Sequence, residues 1–123
     1  MNSHVLGAAF FTVFLLALVG CGEKPVLDEA ATSFVEAQEA IEAGDTAKAL
    51  ELLDDSIAKR PDVWSYYHRA KIHSDNGDDE LAKADVQAGL DLEPEHSDLL
   101  YLQKEMKKPQ KARFRKAPPM ASK

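Results

Sequence analysis

The sequence repeats itself at an offset of 33 residues, and this repeat limits the possible folds more than any other feature. The aligned positions of distinctive type are Ala37 with Ala70, Gly44 with Gly77, Asp45 with Asp78, Ala49 with Ala82, and Pro61 with Pro94. Apolar character recurs as well, at Leu53 and Val86 and at Ile57 and Leu90. A period of this length indicates supersecondary units that stack on one another.

The recurring residues are those that end and begin helices. Glycine accepts the left-handed conformation at which a helix stops, and the aspartate after it predicts the N-cap of the next helix. Proline then ends the second helix, because it has no amide hydrogen to continue the hydrogen-bond ladder. These signals occur at Gly44, Asp45 and Pro61 in the first copy and at Gly77, Asp78 and Pro94 in the second.

Apolar residues between these signals follow a helical period, which predicts that each copy is an antiparallel pair of helices. The first pair has Phe34, Ala37 and Ile41, then Ala49, Leu50, Leu53 and Ile57. The second pair has Trp64, Tyr67 and Ala70, then Ala82, Val86, Gly89 and Leu90. A fifth helix is predicted over 97–108, with Ser97 as N-cap and an apolar stripe formed by Leu99, Leu102 and Met106.

On these residues the chain resembles the tetratricopeptide repeat (TPR), a helical hairpin of roughly 34 residues. The resemblance covers roughly residues 30–94, and its better copy is YYHRAKIHSDNGDDELAKADVQAGLDLEP. The first copy departs from the pattern at Ser33, where a bulky aromatic residue is usual. The fold expected is all-α: two TPR hairpins and a C-terminal capping helix, forming a short α-solenoid over residues 28–108.

The TPR resemblance implies a groove that binds a peptide or helix of a protein partner. By position, the groove residues would be Phe34, Gln38, Ile41, Glu42, Trp64, Tyr67, His68, Lys71 and Asp75. The alternative for Trp64 and Tyr67 is that they belong to the core between the hairpins. The carboxylate clamp of chaperone-binding TPR domains is not expected, since its positions hold Phe34, Gln38 and His68.

The N-terminal segment resembles the signal peptide of a bacterial lipoprotein precursor. Residues 5–19 are apolar except for Thr12, and Leu18, Val19, Gly20 and Cys21 resemble the cleavage and lipidation box. This run would span roughly 22 Å as a helix, less than the roughly 30 Å of a bilayer core, which favours a signal peptide over a membrane span or a buried helix. The n-region departs from such signals, because it has no lysine or arginine.

Cleavage before Cys21 and lipidation of its thiol would remove residues 1–20 and anchor the chain through a linker, residues 21–27. Two or three acyl chains hold a protein on a membrane, since each buried methylene contributes about 0.8 kcal/mol. Gly22 after the cysteine favours the periplasmic side of the outer membrane over the inner membrane of a bacterial envelope. The alternative for Cys21, the only cysteine, is an ordinary free thiol.

Charge is distributed unevenly along the chain. Residues 107–123 hold seven basic and no acidic residues, whereas the rest holds 8 basic and all 21 acidic residues. This acidic body excludes an ordinary nucleic-acid binder. Residues 109–123 are basic and contain three prolines, which predicts a disordered tail that is solvated or contacts anionic lipid or an acidic partner.

No pattern in the sequence indicates catalysis, a metal site or a cofactor. His68 and His73 are five residues apart, so their side chains on one helix diverge and do not chelate one ion. We therefore expect a non-enzymatic, membrane-anchored adaptor that binds another protein. The alternatives are a structural or assembly subunit of an envelope complex and, less favoured, a small enzyme or ligand carrier. Two hairpins are few for a repeat protein, which makes self-association a further hypothesis.

Overall fold

The structure, a computed structural model, describes residues 28–114 as five α-helices with no strand in that range. The elements are α1 (Glu29–Glu42), α2 (Thr46–Lys59), α3 (Val63–Asn76), α4 (Asp79–Leu92), α5 (Ser97–Glu105) and a short 3-10 helix (Gln110–Ala112). Neighbours in sequence pack as pairs: α1 with α2, α3 with α4, and α5 against α4 and α3. The predicted all-α solenoid of two hairpins and a closing helix is confirmed.

The turn inside each hairpin has the predicted glycine in the left-handed region, with φ of 77° at Gly44 and 88° at Gly77. Asp45 caps α2, because its carboxylate accepts a hydrogen bond from the Lys48 amide at 3.1 Å. Asp78 occupies the equivalent position before α4, yet its side chain accepts no capping hydrogen bond. The prediction that both aspartates cap a helix through their side chains is therefore wrong for Asp78.

Small residues let the helices of each hairpin approach closely. Ala37, Ala49, Ala70 and Ala82, the alanines that recur in the repeat, are all fully buried. Two apolar clusters result, the first centred on α1 and α2 with Ile72 of α3 added, and the second on α3, α4 and α5. The first contains Ala37, Ala40, Ala49, Leu53 and Ile72, and the second contains Val63, Ala70, Ala82, Val86, Leu99, Leu102 and Met106.

Helix α5 closes the second cluster with its predicted stripe. It approaches α4 closely at Gly89, where a Cβ atom would lie 2.5 Å from Cδ1 of Leu99. The helix begins differently from the prediction: its N-cap is His96, whose Nδ1 accepts a hydrogen bond from the Leu99 amide at 3.3 Å, and Ser97 is the first helical residue. It also ends at Glu105 instead of continuing to residue 108.

Residues 109–114, which we call the strap, are packed against the domain, so the prediction of disorder from residue 109 is wrong for this segment. Arg113 provides the reason, because its buried guanidinium donates two hydrogen bonds to the Asp79 carboxylate, at 2.6 and 2.7 Å. It also donates to Ser74 Oγ at 3.1 Å. The remainder of the tail, residues 115–123, lies outside the described residues.

The N-terminal predictions fall on residues 1–27, which also lie outside the described part of the chain. These are the signal peptide, the lipidated Cys21 and the linker. Within residues 28–114, no helix combines the length and apolar character that crossing a membrane requires.

Candidate functional site: the α1/α3 face

Five rings form a continuous row along one face of the molecule, which we call the aromatic row. Its members are Phe34 on α1, His68, Tyr67 and Trp64 on α3, and His96 before α5. Successive ring centroids lie 5.7 Å apart for Phe34 and His68, 5.2 Å for His68 and Tyr67, 6.2 Å for Tyr67 and Trp64, and 4.7 Å for Trp64 and His96. The row therefore joins both hairpins and the closing helix.

The sequence of α3 places its part of the row by helical spacing. Trp64, Tyr67, His68 and Lys71 are separated by three or four residues, so they share one side of the helix. Asp62 fixes the start of α3, because its carboxylate accepts hydrogen bonds from the amides of residues 64 and 65 at 3.0 and 2.9 Å. The position of the first residue of α3 therefore decides where these four side chains lie on the face.

Trp64 and Tyr67 of α3, for which the sequence leaves both a groove and a core position open, differ in burial. Tyr67 packs against the second apolar cluster and is partly buried, as expected for a core residue. Trp64 is 46% exposed although its ring contacts Tyr67 and His96 edge-on. Trp64 thus presents a large apolar surface to solvent on a base of packed rings.

His68 occupies the centre of the row, between Phe34 and Tyr67. Burial lowers the pKa of its imidazole, and the positive charge of Lys71 lowers it further, against a smaller opposing effect of Asp62. Burial also raises the pKa of the Tyr67 hydroxyl. Both shifts favour uncharged rings at neutral pH, so the row is an apolar surface with hydrogen-bonding edges.

A small cavity of about 140 Å³ lies beside the row, between the two hairpins. Its lining residues are Ile41, Thr46, His68, Lys71, Ile72, Asp75 and Asn76. Lys71 and Asp75 form an ion pair at its rim, with Nζ 2.9 Å from the carboxylate oxygen. The cavity thus combines an apolar interior with a charged edge.

Seven of the nine predicted groove residues lie in the row or line this cavity. The exceptions are Gln38 and Glu42, which are exposed on α1 and belong to neither group. Sequence reasoning missed three rings of the same face: His96, Tyr101 on α5, and Phe114 in the strap. Phe114 could have been identified from the sequence, because it is the one aromatic residue in the basic tail. No sequence pattern marks His96 or Tyr101 as part of this face.

A larger cleft of about 610 Å³ lies between α4 and α5, away from the row. Val86 and Met106 form its apolar part, and Lys83, Gln87, Gln103 and Lys107 form its polar part. It is a broad surface depression, and Lys83 already pairs with Glu80 at 2.7 Å. The cleft holds no acid–base pair or nucleophile, so the aromatic row remains the candidate site.

Comparisons with known proteins add a short sequence similarity. The chain is 38% identical over 55 residues to ETO1-like protein 2 of Arabidopsis thaliana. The match covers 45% of this chain and 6% of that protein, so the chain spans a small part of the relative's length. No family model matches the sequence, and no solved structure matches it.

Proposed function

We propose that this protein is a TPR-type adaptor that binds a segment of another protein on the α1/α3 face. The observation that carries the proposal is Trp64, a large ring that is 46% exposed yet seated on Tyr67 and His96. Exposed, well-supported aromatic side chains are common energetic centres of protein interfaces, because they bury much apolar area with little loss of side-chain entropy.

The fold and the comparisons support a protein-binding role. Stacked helical hairpins present the first helix of each pair on a shared face, and here α1 and α3 contribute the row together. ETO1-like protein 2, to which the chain is similar over 55 residues, is a TPR-containing protein. The 33-residue repeat in the sequence points to the same type of repeat.

Site-specific photo-crosslinking in intact cells tests the binding surface. A photoreactive phenylalanine at position 64 should give a discrete adduct with a partner protein. The matched control is position 92, where Leu92 is 49% exposed on α4 outside the row. Equal labelling at both positions, or none at position 64, would contradict the proposal. A partner recovered in fixed stoichiometry in mild detergent would identify a structural subunit of a complex instead of an adaptor.

The location is also part of the proposal: an anchor at Cys21 in a bacterial envelope, on the periplasmic side of the outer membrane. The lipobox-like residues 18–21 support it. Confinement to one surface would raise the local concentration of adaptor and partner. The intact mass of the protein extracted from membranes tests the anchor, since a chain that begins at Cys21 and carries acyl groups is expected. An unmodified Cys21 in a full-length chain would contradict it.

A non-enzymatic role belongs to the same proposal. Within residues 28–114, no three histidine, cysteine, aspartate or glutamate residues are placed to hold a metal ion together. The aromatic row contains neither a nucleophile nor a carboxylate pair. Its chemistry suits contact with an apolar segment of a partner better than transformation of a small molecule.

A further inference from the structure

The strap brings its own aromatic ring to the α1/α3 face. The Phe114 ring lies over Lys71, with Nζ 4.9 Å from the ring centroid, and its centroid is 6.4 Å from that of Tyr101. We call Lys71 and Tyr101 the seat of this ring. Lys71 also lines the cavity beside the aromatic row, so the seat is continuous with the candidate site.

The strap reaches the seat through specific polar contacts. Arg113 is fixed by Asp79, and Gln110 donates a hydrogen bond from Nε2 to the Asp75 carbonyl at 2.9 Å. The Phe114 amide donates to Oε2 of Glu105 at 2.7 Å. These contacts engage three helices, so the strap crosses one end of the face on a defined path.

The backbone of Phe114 is held in an unfavourable conformation. Its φ is 55°, in the left-handed region that a bulky residue rarely adopts, and it is the one non-glycine residue with positive φ among residues 28–114. Such strain persists where surrounding contacts impose it, and it is found at switches and ligand clamps. The ring nevertheless remains 37% exposed, so core packing does not explain why it is held there.

We propose that the strap is an autoinhibitory element: Phe114 occupies in cis a seat that accepts an aromatic side chain of the protein partner. The ligand class follows from the chemistry of the seat. Lys71 offers a cation to the face of a ring, and Tyr101, 53% exposed, offers a second ring tilted by 54° to that of Phe114, a combination that selects an aromatic side chain over an aliphatic one. This inference rests on the proposed protein-binding function.

The first test asks whether the ring lies on its seat. Because Lys71 Nζ lies 4.9 Å from the Phe114 ring centroid, the NMR signals of the neighbouring side-chain methylene protons should be shifted upfield in the chain from residue 22 to residue 123. Phe114→Ala should remove that shift and Phe114→Tyr should retain it. The matched control Leu92→Ala should leave it unchanged. A Lys71 signal that is identical in wild type and Phe114→Ala would overturn the inference.

The second test asks whether the ring competes with a partner. Random peptides displayed on phage are selected against the Phe114→Ala chain, and their affinities are then measured for both chains. A strap that is closed nine-tenths of the time weakens binding tenfold. The reason is that the apparent dissociation constant equals the intrinsic one divided by the fraction of competent molecules. We expect aromatic peptides that bind Phe114→Ala at least tenfold more tightly than wild type, and that lose affinity on Lys71→Ala.

The outcomes separate the inference from the function on which it rests. Peptides that bind both chains equally and lose affinity on Trp64→Ala would overturn autoinhibition and leave the binding function intact. Peptides that bind Phe114→Ala more tightly but contain no aromatic residue would overturn the assignment of the seat. If selection against the Phe114→Ala chain enriches no peptide, both proposals are overturned.

Discussion

At the scale of single residues, His68 makes the stability of the domain dependent on pH. Burial lowers the pKa of its imidazole in the folded chain, whereas the unfolded chain titrates near 6.5. Between those two values the unfolded state binds more protons, so stability rises with pH. The contribution of His68 to stability is therefore fully present above about pH 6.5. It is lost as the pH falls through the lower pKa that the imidazole has in the folded chain. We expect denaturant midpoints to decrease on acidification through this window.

The variant His68→Gln isolates that contribution, because glutamine does not titrate. The difference in midpoint between wild type and His68→Gln should shrink or reverse as the pH is lowered from 7.5 to 5. A difference that is constant across this range would contradict the lowered pKa.

The candidate site could be predicted from the sequence only where helical spacing decides it. Trp64, Tyr67, His68 and Lys71 fall on one side of α3 by period alone, and the structure places them there. Phe114 contacts Lys71 across 43 positions of the chain, a contact that no local pattern encodes. Gln38 was assigned to the groove by the family pattern alone, and it is exposed on α1 outside the row and the cavity, so its assignment stays a prediction.

At the scale of elements, the two hairpin turns provide a matched pair of helix caps. Asp45→Ala removes the hydrogen bond to the Lys48 amide and should destabilise the domain by about 1 kcal/mol. Asp78→Ala removes no capping hydrogen bond and should cost much less. Chemical denaturation of the two variants measures the difference. Equal losses would indicate that Asp78 caps α4 in solution.

The approach of α4 to α5 predicts that Gly89→Ala is destabilising although alanine favours helices. The added Cβ atom would meet Cδ1 of Leu99 at 2.5 Å, and Leu99 is fully buried. Overpacking of a core costs about 1–3 kcal/mol, which exceeds the helix propensity gained, about 1 kcal/mol. Thermal unfolding should show a lower midpoint, with exposed Gln87→Ala as control. Adding Leu99→Val should recover part of the loss; strictly additive effects would argue against this contact.

The elements themselves were predictable because their signals are local. Glycine and aspartate mark the turn inside each hairpin, proline follows the second helix of each, and the alanines of the repeat are buried as their spacing indicates. The strap was missed because its composition resembles that of a disordered tail. What orders it is Arg113 bonding to Asp79, a partner 34 residues away.

At the scale of the whole molecule, α2 packs against α3 and joins the hairpins, yet two hairpins are few for a repeat protein. A monomer with two hairpins has little core for its length, and self-association through the exposed α1/α3 face would add to it. We expect the thermal midpoint of the chain from residue 22 to residue 123 to rise with protein concentration. Sedimentation should show a larger species, and a monomer with a constant midpoint would exclude it.

Arg69 links the two helices of the second hairpin and also reaches the first hairpin. From α3, its guanidinium donates two hydrogen bonds to Asp85 of α4, at 2.9 and 2.6 Å, and one to Asp54 of α2 at 2.6 Å. The hydrogen bonds to Asp85 and Asp54 raise the pKa of the guanidinium, so it stays charged. The Asp85 side chain is only 8% exposed, so its charge depends on this one partner for compensation.

Removing the arginine should therefore cost more than removing the pair. Arg69→Met leaves the Asp85 carboxylate buried without a cation, which costs about 3–5 kcal/mol and would unfold much of a domain this small. Adding Asp85→Leu replaces the pair by apolar side chains and should restore most of the stability, because the uncompensated charge is gone. Asp54→Asn, which changes the exposed partner, should cost less than about 1 kcal/mol. Urea midpoints of the three variants check this order, and a double variant no more stable than Arg69→Met would show that the second hairpin needs the ion pair itself.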